Sequence, residues 1–199
     1  DLGAFFAAGA VFAVGLGFAM QNIAQNFVSG VILLVERSIK PGDILEVQGK
    51  LVRVLEMGIR STVARSRDDE ELIIPNTELV QNMVKNYTLN DRSFRIRAEV
   101  SVSYQVDLEH ANQVLEDIAT SFKSEHSANT PTVVIKEMAD SGIIFEVSVW
   151  SMDPWSSPKE RSKLLMAIWS GLRDARIDIP FPQVDIHLDN DILQSLRTS

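Results

Sequence analysis

The side chains able to carry chemistry are few and dispersed along these 199 residues. The three histidines, His110, His126 and His187, stand far apart, and none has a second donor at metal-ligand spacing. Glu109-His110 falls on a helical pattern, where the pair reads as a solvated face, and the run Asp68-Asp69-Glu70-Glu71 falls in a charged turn. Cysteine is absent, so no disulfide, thiolate ligand or thiol nucleophile is available. No glycine-rich loop is placed to cradle a phosphate. An enzyme reading therefore has no support, and no cofactor or metal is expected. With 27 acidic against 19 basic residues and a net charge of −8, nucleic acid is not an expected partner, because phosphate binding takes clustered positive charge.

The marked feature is instead an absence of charge. Residues 2–35 carry none, and residues 2–20 are apolar or glycine. At about 1.5 Å per residue that stretch makes a helix of roughly 28 Å, close to the roughly 30 Å of a bilayer's hydrocarbon core. A signal peptide would open on basic residues and have a shorter core. A buried helix of a soluble protein is the other alternative, and a membrane span is the better reading.

Turning about 100° per residue places Gly3, Ala7, Val14, Phe18, Gln21 and Gln25 on one stripe. Ala4, Ala8, Gly15 and Ala19 lie on one side of it, Gly9, Ala13 and Gly17 on the other, and Phe5, Phe12, Leu16 and Ile23 opposite. Small residues four apart let membrane helices approach closely. Two different seams suit head-to-tail packing that closes into a ring, with the stripe facing a lumen. A small-residue helix packed among other spans of its own chain is the alternative. Past Met20 the polar arc Gln21, Asn22, Gln25, Asn26 and Ser29 opposes Ile23, Ala24, Phe27, Val28, Val31, Leu34 and Val35, while Ile32 and Leu33 blur the pattern. This half suits the interface, reached by a bend near Asn22. Arg37, Lys40, Lys50, Arg53, Arg60, Arg65 and Arg67 then mark the following flank as cytoplasmic.

The remainder must position that helix. Pro41-Gly42-Asp43 is a turn, and short β-rich runs follow at 44–47, 51–55, 59–64 and 72–74, closed by Pro75-Asn76-Thr77, which predicts a small, strongly bent β-domain. Strict alternation from Phe94 to Tyr104 predicts a half-buried strand, followed by a helix from about Asp107 with Leu108, Ala111, Leu115, Ile118 and Phe122 inward. Strands at 132–138 and 143–150 precede a helix with Ser157 as N-cap, Pro158 in the first turn and Glu160 closing a capping box. Its inward residues are Leu164, Leu165, Ile168, Trp169 and Leu172, and Trp150, Trp155 and Trp169 are all expected in the core. The order βαββα predicts a ferredoxin-like split βαβ sandwich with its helices on one face. A last short strand at 183–188 has no partner in that sandwich, so pairing with copies from other chains is expected. The organisation expected is therefore a membrane helix over 1–36, an all-β domain over 37–90, an α+β domain over 91–180 and a terminal strand and tail over 181–199.

The stretch from Gly15 to Gly30, GLGFAMQNIAQNFVSG, with Glu36-Arg37-Ser38-Ile39-Lys40-Pro41-Gly42-Asp43 and Ile74-Pro75-Asn76, resembles the small-conductance mechanosensitive channel (MscS-like) family over essentially the whole chain. The resemblance implies a homoheptamer in the bacterial inner membrane that releases ions and small osmolytes on hypo-osmotic shock, with membrane lipids as surroundings. It also implies a pore-lining last helix that breaks into an interfacial half, an Sm-like β-domain, an α/β-domain and a terminal β-barrel shared between subunits. Val14 and Phe18 match the family's apolar seal, Ala10, Ala13 and Gly17 its helix-packing positions, beside Gly9 and Gly15 from the seams. Gln21 matches the glutamine beside the bend and Gly30 a glycine of the interfacial half. Asn22 stands where the best-known member has glycine, which moves the hinge toward Gly30 or leaves Asn22 to bond locally. Further membrane helices are expected before this one. The rival reading is a membrane-anchored oligomeric scaffold whose cytoplasmic ring binds proteins.

Overall fold

The computed structural model describes residues 2–122 and 129–184. The chain divides into two compact units, Asp1–Phe94 with Met152–Ser156, and Arg95–Ser151 with Ser157–Ser199.

The first unit opens with α1 (Leu2–Glu36), a single helix of 35 residues. It is the one described helix long and apolar enough to cross a membrane, and none of its most apolar window is buried within the chain, which distinguishes it from the core helix of a soluble protein. Arg37, at φ 53°, ends it, and its N–H still donates to the Leu33 carbonyl at 2.9 Å. Then come β1 (Ile44–Val47), β2 (Lys50–Met57), β3 (Ser61–Ser66), β4 (Glu71–Pro75), the short helix α2 (Asn76–Gln81) and β5 (Lys85–Asn86). They form one antiparallel sheet in the order β4-β3-β2-β1-β5. A register shift between Val54 and Glu56 bends β2, as an extra residue does when it raises local twist. The core of this unit gathers Leu45, Val47, Val52, Val54, Ala64, Ile74 and Leu79 with Ile39 and, from the helix, Leu33. Leu33, which blurred the polar arc in the sequence, is thus a core residue of the β-unit.

The Pro41-Gly42-Asp43 turn fastens the exit of α1 to this sheet. Gly42 sits at φ +92°, a conformation L side chains rarely adopt, and donates its N–H to Val54 O at 2.8 Å. The Asp43 carboxylate accepts from the Lys40 N–H, the Asn86 side-chain amide and the Thr88 hydroxyl at 2.9, 2.9 and 3.1 Å. Nearby, Tyr87 donates its hydroxyl to Glu46 at 2.6 Å, and Lys85 pairs with the same carboxylate at 2.8 Å.

The second unit follows the βαββα order, with β6 (Phe94–Val102), α3 (Leu108–Ser121), β7 (Thr132–Ala139), β8 (Gly142–Ser151) and α4 (Ser157–Asp174). The strands align β6-β8-β7. Alternation on β8 buries Ile143, Phe145, Val147 and Val149, while α3 buries Ala111, Leu115 and Ala119 and α4 buries Leu164, Ile168 and Leu172. Asp107 caps α3, its carboxylate accepting the N–H groups of Glu109 and His110.

Three local expectations are corrected. The alternating strand stops at Val102, and Tyr104 is exposed, with its hydroxyl bonded to Ala139 O at 2.8 Å. A 3₁₀ turn, Pro154–Ser156, precedes α4, so winding begins before Ser157, and Asp153 rather than Ser157 accepts the first free N–H, that of Trp155, at 3.2 Å. The tryptophans are not core. Trp169 is 49% exposed and the other two are half-buried, and each indole lies under an arginine: Arg53 at 4.5 Å from Trp155, Arg95 at 5.0 Å from Trp150 and Arg173 at 4.7 Å from Trp169. A guanidinium over an indole face is attracted by the ring quadrupole and keeps its charge in water, which makes the half-buried site favourable. Of the strand expected at 183–188, only Gln183 and Val184 fall within the described residues, neither in a strand, and His126 and His187 lie outside them.

Candidate functional site

The candidate site is α1 and the clasp that fixes its C-terminal third to the β-unit. Along the helix Asn26, Ser29, Gly30 and Leu33 recur at i, i+3, i+4 and i+7, and they are its residues withdrawn from solvent, together with Ile32. The face that packs on the β-unit is therefore mixed, Asn26, Ser29 and Gly30 beside Ile32 and Leu33, while Ile23, Phe27, Val28, Val31, Leu34 and Val35 stay exposed. A soluble amphipathic helix turns its apolar stripe inward; here most of that stripe is left free for an apolar surrounding.

Helix α2 begins at Pro75, which offers no side-chain oxygen, so its first N–H groups need an acceptor from elsewhere. Asn26 supplies it from α1: its Oδ1 accepts both the N–H and the hydroxyl of Thr77, at 3.2 and 3.1 Å. The same side chain donates through Nδ2 to the Asn22 carbonyl one turn back, at 2.9 Å. Beside it, Asn76 is 1% exposed and fully bonded, donating to Gly58 O at 3.0 Å and accepting from the Thr62 hydroxyl at 2.9 Å, while its N–H reaches Arg60 O at 3.1 Å. Gly30 lies against this network so closely that a Cβ would run into the Ile59 carbonyl oxygen and stand 2.5 Å from Asn76 Nδ2. Only glycine lets the helix approach the β2–β3 turn at this distance.

The residues expected to form the pore divide accordingly. Val14 and Phe18 are exposed, as are Gly9, Ala10, Ala13, Gly15, Gly17, Gln21 and Asn22, and a Cβ at Gly9, Gly15 or Gly17 would meet nothing within 4 Å. α1 runs unbroken through Gln21, Asn22 and Gly30, so in this conformation there is no helix break at any of them. Asn22 bonds locally through its carbonyl. Sequence reasoning places Thr77 only in the closing Pro75-Asn76-Thr77 turn and Ile59 only in a strand run; Asn26 stands on the polar arc, and Gly30 is marked by the family resemblance.

Electrostatic perturbation involves a cluster in the β-unit and, in the second unit, Lys136, whose ammonium pKa is raised by its hydrogen bond to Glu99. Burial and the hydrogen bond to Glu46 push the Tyr87 hydroxyl up to about 12, and hydrogen bonds from Lys85 and Tyr87 hold the Glu46 carboxyl below its usual range. No group of three metal-ligating side chains occurs among the described residues.

Comparison with known proteins follows the same division. Residues 22–89 match the family model described as mechanosensitive ion channel, beta-domain, and residues 96–179 that of mechanosensitive ion channel MscS, C-terminal. An uncharacterized MscS family protein of Archaeoglobus fulgidus is 30% identical over 193 residues, covering 96% of this chain and 67% of its own length. The mechanosensitive channel MscK of Escherichia coli is 31% identical over 92% of this chain, and the small-conductance mechanosensitive channel of Edwardsiella ictaluri 30% over 88%. The chain spans only 16% of the former and 60% of the latter. Among solved structures, Helicobacter pylori MscS in its closed state shares the fold at TM-score 0.82, with 22% identity over 94% of this chain and 74% of its own.

Proposed function

The chain belongs to the MscS family of mechanosensitive channels, and from that premise we propose that it forms the pore helix and the membrane-proximal cage of a tension-gated ion channel. In this reading α1 lines the lumen of a homo-oligomeric ring, of seven subunits as the resemblance implies. The complex sits in the inner membrane with further spans preceding α1, residues after about 36 lie on the cytoplasmic side, and hypo-osmotic shock opens the pore to ions and small osmolytes. The observation that carries the proposal is α1 itself: uncharged over residues 2–35, unburied along its apolar length, and clasped at Asn26, Gly30 and Leu33 to a folded unit.

Val14 and Phe18 lie one helical turn apart, so a ring of copies stacks two apolar collars about 6 Å apart along its axis. An ion entering such a collar sheds its water and finds no polar replacement, so a narrow collar closes the pore without any charged side chain. Gly9, Ala13 and Gly17 of one helix face Ala8, Gly15 and Ala19 of the next, with Ala10 among the small positions that admit close approach. Tilting or rotating these helices under tension widens the collar until it stays wet, with Gln21, Asn22 and Gly30 as the positions where the helix bends. The full-length protein, reconstituted in lipid bilayers and recorded under graded suction, should pass current above a tension threshold. Silent patches that contain the protein would refute the channel and favour a membrane-anchored scaffold.

A further inference from the structure

We propose that the outer flank of α4 docks on the acidic flank of α3 from a second copy of this chain, a head-to-tail contact between neighbouring α/β-units that rests on the ring assembly put forward above. Gly171 fixes which sides of the two helices meet within one copy. A Cβ there would lie 2.5 Å from Ile118 Cδ1 and 3.9 Å from Val114 Cγ1, so Gly171 faces α3 while Val114 and Ile118 face α4. At about 100° per residue, Met166, Trp169 and Arg173 then lie on the side of α4 turned away from α3. Met166 is 63% and Trp169 49% exposed, and the Arg173 guanidinium lies flat over the indole. Methionine, tryptophan and arginine are the types enriched in interface cores, and tryptophan and arginine dominate their energetics. Lys159 and Lys163 extend the patch and make no ion pair among the described residues.

The complementary surface is on α3, which has no lysine or arginine. Its side away from Val114 and Ile118 carries Glu109 and Glu116, and Asp117 lies on the shoulder between Glu109 and Val114. Asn112 and Gln113 hold the Glu116 and Asp117 carboxylates on the helix surface through hydrogen bonds of 2.7 and 3.1 Å. Glu116, Ala119 and Thr120 also wall a groove of about 350 Å³ whose other wall is residues 131–134. That groove receives the exposed Met166 and Trp169, and Lys163 meets Glu116 and Asp117 at its rim. The two flanks look out over opposite edges of the β6-β8-β7 sheet: α3 packs on β7 and β8, and Arg161 of α4 donates to Arg97 O of β6 at 3.0 Å. Two different patches on opposite sides of one unit are what a closing, head-to-tail ring requires.

These 199 residues hold no cysteine, so Glu116→Cys and Met166→Cys place the only thiols in this region. In the full-length protein in its membrane, mild oxidation of the double variant should give a covalent ladder on non-reducing gels, and each single variant should stay monomeric. Lys163→Glu should lower the ladder yield several-fold, and Asp117→Lys in the same chain should restore it. Dimers from Met166→Cys alone would mean an α4–α4 two-fold contact and would overturn the proposal. A native mass of several subunits with no ladder overturns the docking and leaves the ring standing, whereas a monomeric native mass overturns both.

Discussion

Replacing Gly30 by alanine adds one methyl group at the tightest point between α1 and the β-unit. The new Cβ meets the Ile59 carbonyl oxygen, which is backbone and cannot rotate away, and stands 2.5 Å from the buried Asn76 amide. Ordinary contact begins at about 3.5 Å, so helix and sheet must separate by about 1 Å or absorb the strain. Separation of that size takes both Asn26–Thr77 bonds, now 3.1 and 3.2 Å, beyond hydrogen-bonding range. The cost is overpacking strain of about 1–3 kcal/mol, or two hydrogen bonds at about 1 kcal/mol each. Because α1 stays wound whether the clasp is open or shut, the propensity gain of alanine cancels, and the cheaper of the two routes sets a loss of about 1–2 kcal/mol, a factor of about 5–30 in the clasp's opening equilibrium. Amide hydrogen exchange reads that opening directly, because the Thr77 N–H is bonded across the clasp, to Asn26 Oδ1. Exchange at Thr77 should accelerate about 5–30-fold in Gly30→Ala, and amides within β2 and β3 should not change. Unaltered exchange at Thr77 would show that α1 does not seat on Ile59 as described.

The remaining expectations concern the collar, the clasp and pH. Phe18→Ser should wet the closed lumen and open the channel at lower tension, while Phe5→Ser on the opposite face should not; single-channel thresholds under graded suction decide, and a parental threshold for Phe18→Ser removes the collar. A double-mutant cycle of Asn26→Ala and Thr77→Ala should give a coupling of about 0.5–3 kcal/mol in thermal unfolding, and strictly additive effects would deny the contact. Tyr87, raised to about 12, contributes stability that is intact below the usual 10 and lost as pH climbs through about 12. Glu46, lowered, contributes stability that is intact above the usual 4.5 and lost as pH falls through its lowered value. Denaturant midpoints against pH should therefore flatten on the alkaline side in Tyr87→Phe and on the acid side in Glu46→Gln.

How much of the structure is legible in the residues depends on whether the cause is local. The membrane helix was legible because a run without charge from Leu2 to Val35 has no other comfortable solvent. The β6 alternation and the start of α3 near Asp107 were equally direct, since a change of period is written within a few residues. The arginine over Trp150 was not, because Arg95 and Trp150 lie on neighbouring strands far apart in sequence, and a tryptophan read alone counts as core. Arg173 over Trp169 was readable, being one helical turn away on α4, yet the apolar weight of the indole outvoted it. Helix α2 was hidden by its length and by Pro75, whose missing side-chain acceptor is supplied by Asn26 of α1. At the candidate site the family resemblance marked Gly30 as an alternative hinge, and the structure adds that the space of its missing side chain is taken by the β2–β3 turn and Asn76. Leu33 was an anomaly on the polar arc until its partner core was known.

The uninterrupted winding of α1 makes it a lever. The clasp grips from Asn26 to Leu33, about 10 Å of helix, whereas Leu2 stands about 36 Å beyond Asn26. If one end of the grip slips by about 1 Å while the other holds, the rod turns by about 6° and its far end swings by about 3.6 Å. A displacement no larger than a methyl group's clearance at Gly30 is thus multiplied more than threefold at the other end of the helix. Read backwards, a push on that end reaches the Asn26–Thr77 contact with the same mechanical advantage. A β-unit that stiffens or loosens this grip by one hydrogen bond therefore sets how far the rod travels for a given force.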